Sequence, residues 1–251
     1  MDRLVFTAMS GAKQSIDRQS VLSANLANVS TSGFRVQLNT ARSVPVKGDA
    51  AHETRVSAVA TTPGANFATG PIAKTGRDLD IAMTGNTWLA VQAPNGQEAY
   101  TRRGDLQIDA DGFLVTGNGN PVIGDGGPIA VPPGAKVFIG ENGVISNLAA
   151  GANPDELAPL GQLKLVEANG NLTRGVDGLF RPAPGANGNV QELPLNENAR
   201  IATRSLEGSN VNPVEAMVAM IDNSRSYEMH MKVIQSSDEN AQKANSLLSM
   251  S

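Results

Sequence analysis

The chain of 251 residues carries 20 Lys and Arg against 24 Asp and Glu, a formal charge of −4. The basic residues are scattered, and a nucleic-acid partner would call for a basic patch or stripe, so none is expected. Cysteine is absent, which excludes disulfides and thiolate metal sites and leaves the fold indifferent to redox compartment; aromatic residues make up 4 %, while 26 Gly and 14 Pro favour turns and short strands over a large helical core.

The first stretch, MDRLVFTAMSGAKQSIDRQS, has no basic segment followed by an apolar one, so no cleavable secretory signal is expected. Residues 2–28 read as a helix about 40 Å long. Val5, Ala8, Ala12, Ser15, Gln19, Leu22, Leu26 and Val29 recur at steps of three and four and form a mediocre heptad seam. The stretch NLANVSTSGFR, Asn25–Arg35, then stops it. Asn, Ser and Thr compete for backbone hydrogen bonds, Gly33 supplies a positive φ, and Phe34 anchors the departing chain.

Residues 36–75, with VPVKG, TTPG and ATGP as turn signals, read as an extended connector with short strands. Residues 76–205 carry short alternating runs separated by Gly-, Asn- and Asp-rich turns, the pattern of an antiparallel β domain. Asn95-Gly96 and Asn142-Gly143 read as two-residue hairpin turns. Residues 206–251 hold a second helix, over 212–249, with Asn212 as N-cap, Pro213 at N1 and Glu215 at N3. Met220, Tyr227, Ile234, Ala241 and Leu248 recur every seven residues; Met217, Ser224, Met231, Asp238 and Asn245 read as the companion seam. The expected class is α+β: long N- and C-terminal helices, residues 1–35 and 206–251, pairing as a coiled-coil-like domain around an inserted antiparallel β domain. Neither helix has the apolar face to stand alone, so further neighbours are expected. No run of about 18 apolar residues is present, so no membrane-spanning helix is expected.

Three blocks carry a resemblance. Asn25, Ala27, Asn28, Thr31, Gly33 and Phe34 fit the pattern N-x-A-N-x-x-T-x-G-F/Y near the N-terminus of bacterial flagellar rod and hook proteins. YTRRGDLQIDADGFLVTGNGNPVIG, Tyr100–Gly124, resembles a central block of that family, with Leu106 where Phe is usual. The run from Leu206 to Asn245 resembles its C-terminal block, with His230 where Asn is common. Within the family, the length and both ends look most like the proximal rod type; the distal rod subunit is the nearest alternative.

The resemblance implies a structural subunit and no enzyme. It implies terminal helices that stack with neighbouring subunits into a tube around a channel, export through the flagellar type III apparatus without a cleaved signal, and a place in the rod across the periplasm. The expected partners are copies of the chain and neighbouring rod subunits. On this reading assembly runs through Val5, Ala12, Leu22 and Leu26, and Met220, Tyr227, Ile234 and Leu248. Asn25, Asn28, Thr31, Gly33 and Phe34 form the helix-to-β junction.

No catalytic, cofactor or metal residue is expected. His52 and His230 lack partners at metal-ligand spacing. DADG, Asp109–Gly112, reads as a hairpin turn and not a calcium loop, and Ser10 with Lys13 as a solvated helix face. Asp78 and Asp80 read as two carboxylates on one solvent face, and Trp88 as core. A β-fold enzyme acting on periplasmic glycan would need a carboxylate pair in a cleft, and a secreted adhesin would bind its ligand without the helices.

Overall fold

The computed structural model describes residues 2–45, 56–149, 157–168, 170, 172–183 and 191–249, and their side chains over 4–39, 64–149, 157–168, 170, 172–183 and 191–246. His52 lies outside the described residues. Two long helices, α1 (Asp2–Ala27) and α2 (Pro213–Ser249), bracket a series of short strands, the α+β arrangement expected. The chain forms two compact units. One holds α1, the segment 37–64 and α2; the other holds residues 30–36 and 65–210.

In the helical unit α1 and α2 pack together. Gly11 lies against His230, and Ser15 and Gln19 both meet Asn223, so numbers fall along one helix as they rise along the other and the pair is antiparallel. Asn212 caps α2 as expected: its Oδ1 accepts from the amides of Val214 (3.1 Å) and Glu215 (3.4 Å). The strands Gln37–Pro45 and Val56–Ala65, inside the expected connector, pair as a two-stranded sheet.

The β unit is built of short antiparallel pairs. A five-stranded sheet runs in the order Leu165–Glu167, Thr87–Gln92, Glu98–Thr101, Phe180–Pro182, Leu172–Arg174. A three-stranded sheet is made of Lys136–Ile139, Val144–Leu148 and Ala158–Gln162. Near the chain's return, Ile201–Thr203 pairs with Ile81–Met83 and Ser205–Glu207 with Ile72–Lys74. Strand Thr87–Gln92 is buried on both faces. Leu89 and Val91 enter the main core with Ile81, Leu106 and Leu163, while Trp88 and Ala90 enter a second cluster with Tyr100 and Phe180. Trp88 is core, its ring 4.9 Å from that of Phe180.

The Asn-Gly turns differ from expectation. Ala93 and Gln97 close one hairpin through Ala93 N–H to Gln97 O (2.9 Å), and Gly140 and Val144 close another (2.8 Å), so each loop has three residues. Only the glycine of each turns left-handed, at φ 81° for Gly96 and 79° for Gly143; a two-residue type I′ turn would need the Asn there as well. Asp109–Phe113, Thr116–Asn120 and Gly175–Leu179 repeat the pattern, each with Asn or Asp before the left-handed Gly. The DADG segment is thus one of a family of like turns. Asp78 and Asp80 also part company. Asp78 is half-buried and pairs with Arg204 at 2.7 Å, whereas Asp80 is buried, pairs with Arg77 and accepts from Thr75 Oγ1 at 2.7 Å. A β-bridge to Asp105 turns Asp80 inward, which alternation alone did not disclose.

Candidate functional site

The buried column of the helix pair is made of small and polar side chains. On α1 it is Ala8, Ala12, Ser15 and Asn25, and on α2 Ala216, Asn223 and Ser237. Asn223 Nδ2 donates to Ser15 O (2.8 Å) and Gln19 Oε1 (2.9 Å), a polar layer in the middle of the seam. Such a layer fixes register at some cost in stability. At Gly11 the helices come so close that a Cβ would sit 2.4 Å from the His230 ring. The pair is loosely filled beside that layer, where a groove of ≈ 460 Å³ is lined by Ile16, Ser20, Ser23, Ser224 and Tyr227.

Many of the large apolar side chains are turned outward. Leu4, Phe6, Met9 and Ile16 on α1 are 57 %, 68 %, 57 % and 57 % exposed, and Val214, Met217, Val218 and Ile221 on α2 are 67 %, 52 %, 53 % and 54 %. Isolated exposed apolar residues are ordinary, whereas a concentration of this kind marks an interaction surface.

Of the residues expected to carry assembly, Ala12 is buried and Val5, Leu22, Leu26, Met220, Tyr227 and Ile234 are half-buried on the face shared by the two helices. Leu248 has its side chain outside the described residues. The companion seam is corrected: Met217, Ser224, Met231, Asp238 and Asn245 are exposed, and the inward column lies one residue earlier, at Ala216, Asn223, His230 and Ser237. Reading the heptad by apolar size misplaced it, because helices that approach closely at Gly11 bury small groups.

The expected junction residues each make a defined contact. In the helical unit, Asn25 is buried and its amide clasps Gln37, donating to Gln37 O (3.0 Å) and accepting from Gln37 N (2.8 Å). Asn28 Nδ2 caps the Ala24 carbonyl at 2.8 Å. In the β unit, Thr31 O accepts from Phe34 N at 3.3 Å. Gly33 has φ 66°, and its amide donates to Glu207 O at 2.8 Å; a Cβ there would fall 2.2 Å from Arg102 O. The Phe34 ring is buried beneath the Arg174 guanidinium, 4.6 Å from its centroid. Burial lowers the pKa of Arg174, and Asp177 pulls it back.

Sequence reasoning missed the group at the centre of this segment. Glu207 is buried and takes Arg35 Nη2 on Oε1 (2.6 Å) and Arg102 Nε on Oε2 (2.8 Å). Gly70 N also donates to Oε1, at 2.8 Å. Arg102 then donates to the carbonyls of Gly85 (2.6 Å), Thr87 (2.9 Å) and Met83 (2.7 Å). Burial lowers the Arg102 pKa, and the charge of Glu207 opposes that shift. Alongside, Asn210 Oδ1 accepts from Val36 N (2.7 Å), and its Nδ2 donates to Asn66 O and Ala68 O. The segment leaving α1 and the segment entering α2 are thereby stapled to each other. The signal available in the sequence was one charged residue in each of the three recognisable blocks: Arg35, Arg102 and Glu207.

Among the described residues no cluster of three or more His, Cys, Asp or Glu stands close enough to hold a metal ion, and no helix is long and apolar enough to cross a membrane. The geometry of these described residues holds and joins.

Three family models match the chain: the flagella basal body rod protein over residues 7–35, the flagellar hook protein FlgE/F/G D1 domain over 82–147, and the flagellar basal body rod FlgEFG protein C-terminal over 202–247. Each contributes one member of the buried charge cluster. The flagellar basal-body rod protein FlgF of Salmonella typhimurium is 50 % identical over 255 residues, and that of Escherichia coli 48 %, both covering all of each chain. A flagellar basal-body rod protein FlgG of Buchnera aphidicola is 33 % identical, over 94 % of this chain and 97 % of the relative. The chain belongs to the flagellar basal-body rod protein family, on its FlgF branch.

Proposed function

We propose that the chain is a structural subunit of the proximal rod of the flagellar basal body, a shaft segment that passes torque along the axis and encloses the export channel. The observation that carries this reading is the helix pair with small and polar groups inside and large apolar groups outside. The fully buried column of Ala, Ser and Asn contributes little apolar burial, since each buried methylene is worth only about 0.8 kcal/mol, and the larger inner residues are only half-buried. The outward residues gain their burial only against other subunits, copies of this chain or adjoining rod proteins. The inner residues Val5, Ala12, Leu22, Leu26, Met220, Tyr227 and Ile234 hold the pair in the form that those neighbours receive. The segments leaving α1 and entering α2, tied by Glu207 and Asn210, suit a part that must carry load without parting.

The role is mechanical and not catalytic. The chain reaches the periplasmic part of the rod through the flagellar type III apparatus, a route compatible with its lack of cysteine. The test is complementation of a strain lacking this gene. Ile221→Glu on the outer face should leave the β unit folded yet give no rods and no swimming. Normal rods from that variant would sink the reading. An enzyme or adhesin would instead keep its activity after both helices were removed.

A further inference from the structure

Charge does not balance in the buried cluster of the β unit. Arg35, Arg102 and Glu207 are 1 %, 2 % and 1 % exposed, and the two guanidinium groups share one carboxylate. Oε1 of Glu207 already accepts from Arg35 Nη2 and Gly70 N, and Oε2 from Arg102 Nε. The two arginines differ in what remains. On Arg102 the other nitrogens also donate, Nη1 to the carbonyls of Gly85 and Thr87 and Nη2 to that of Met83. On Arg35, Nε and Nη1 are buried as well, yet neither meets an acceptor among the described residues.

A guanidinium cannot relieve this by losing its proton, as a buried lysine does. A buried donor without an acceptor is costly, and an unbalanced buried charge more so. The like charges also act on each other: burial lowers the Arg102 pKa, Glu207 opposes the fall, and the charge of Arg35 adds to it. Water at Arg35 would fill the donors and leave the charge. An anion answers both, through the stronger, charge-assisted kind of hydrogen bond. One negative charge suffices, since the cluster carries two cations and one carboxylate. The anion must also be small, because backbone crowds the cluster. A Cβ on Gly33 would fall 2.2 Å from Arg102 O, and one on Gly70 2.1 Å from Gly208 O.

We propose that this cluster binds a small monovalent anion of the halide class, held by Arg35 through Nε or Nη1 and taken up as the β unit closes. The site lies within the β unit and is independent of rod assembly. Full-length protein is unfolded in urea at fixed ionic strength while chloride is exchanged for gluconate, with the fluorescence of Trp88, the sole tryptophan, as reporter. By mass action the unfolding equilibrium constant of the β unit should rise about tenfold for each tenfold fall in chloride while the site stays mostly filled. Arg35→Met leaves Arg102 and Glu207 as a balanced pair and should remove that dependence. Crystals of the unaltered chain grown in bromide decide the matter even where Arg35→Met fails to fold: an anomalous peak should lie within hydrogen-bond reach of Arg35 Nε or Nη1. Equal unfolding in chloride and gluconate overturns the proposal. So does an equal chloride dependence in Arg35→Met, which marks a general salt effect, and so does ordered water at Arg35 in place of bromide.

Discussion

The two units bury different things. The β unit encloses Trp88, Tyr100, Leu89, Leu106, Leu114 and Leu163, each at most 2 % exposed. The helical unit encloses Ala8, Ala12, Ser15, Ala216, Asn223 and Ser237 and leaves Phe6, Met9 and Ile221 outside. Stability follows the apolar area removed from water, so the β unit draws its order from within and the helical unit from what surrounds it. Amide hydrogen exchange on the monomer should report the contrast directly, with slow exchange in Thr87–Gln92 and fast exchange along α1 and α2. Helices as protected as those strands would remove the distinction.

The largest effect is expected at the ion cluster, where the β unit departs from being purely apolar. Glu207→Ala leaves Arg35 and Arg102 buried without their shared anion. Breaking a buried pair in this way costs about 3–5 kcal/mol. Urea unfolding of the β unit should shift by that amount, while Glu207→Gln, which keeps an acceptor, should lose less. A loss under about 1 kcal/mol for the alanine would mean that Glu207 is no keystone.

Next comes the same truncation in both interiors. Leu89→Ala, at a fully buried site, should cost about 2–5 kcal/mol, and half-buried Leu22→Ala on α1 well under half of that. Near-ultraviolet circular dichroism or fluorescence-detected unfolding of the β unit, which contains the sole tryptophan, should register the first and barely the second. Equal losses would show that the helix seam is as well packed as the core.

Gly11→Ala sharpens the contrast from the helical side. Alanine favours a helix over glycine by about 1 kcal/mol. Its Cβ would nonetheless meet His230 at 2.4 Å, so the helices must part or the ring must swing out. Helicity by circular dichroism should fall, and His230→Ala in the same chain should reverse the sign and leave the alanine stabilising. A helicity gain from Gly11→Ala alone would mean that the imidazole gives way freely and that close approach there is not a constraint.

These contrasts also explain what the sequence disclosed. Both helices, the cap at Asn212 and the stop at Gly33 were legible because each depends on local spacing or on one residue's backbone preference. The alternating runs around Leu89 and Ile145 were legible for the same reason. The inward column of α2 was not, since a heptad read by apolar size favours Met217 over Ala216, whereas close helix approach selects the smaller residue. Nor was the cluster of Arg35, Arg102 and Glu207, whose members lie far apart along the chain. Each looks like an ordinary surface charge in its own segment, and only the strand pairing of Ser205–Glu207 with Ile72–Lys74 brings Glu207 under the other two. The three-residue hairpins fall between. Their Asn-Gly and Asp-Gly pairs announced a turn, but loop length depended on which flanking residues closed the ladder.

The smallest expected effect sits at Arg204, a non-glycine residue at φ 52°. Its carbonyl accepts from the amides of Thr75 (2.8 Å) and Gly76 (3.1 Å), which holds the backbone in that conformation between strands Ile201–Thr203 and Ser205–Glu207. A left-handed Arg costs about 1–2 kcal/mol that glycine does not. Arg204→Gly also gives up the exposed pair with Asp78, worth about 0–1 kcal/mol, and adds about 0.4–1 kcal/mol of unfolded-state entropy. The net change in the unfolding free energy of the β unit should therefore lie near zero. Asp78→Ala isolates the ion pair, and subtracting its effect leaves backbone strain set against chain entropy. If Arg204→Gly lost more than about 2 kcal/mol, the bend would owe its shape to the side chain and not to the two amides that grip its carbonyl.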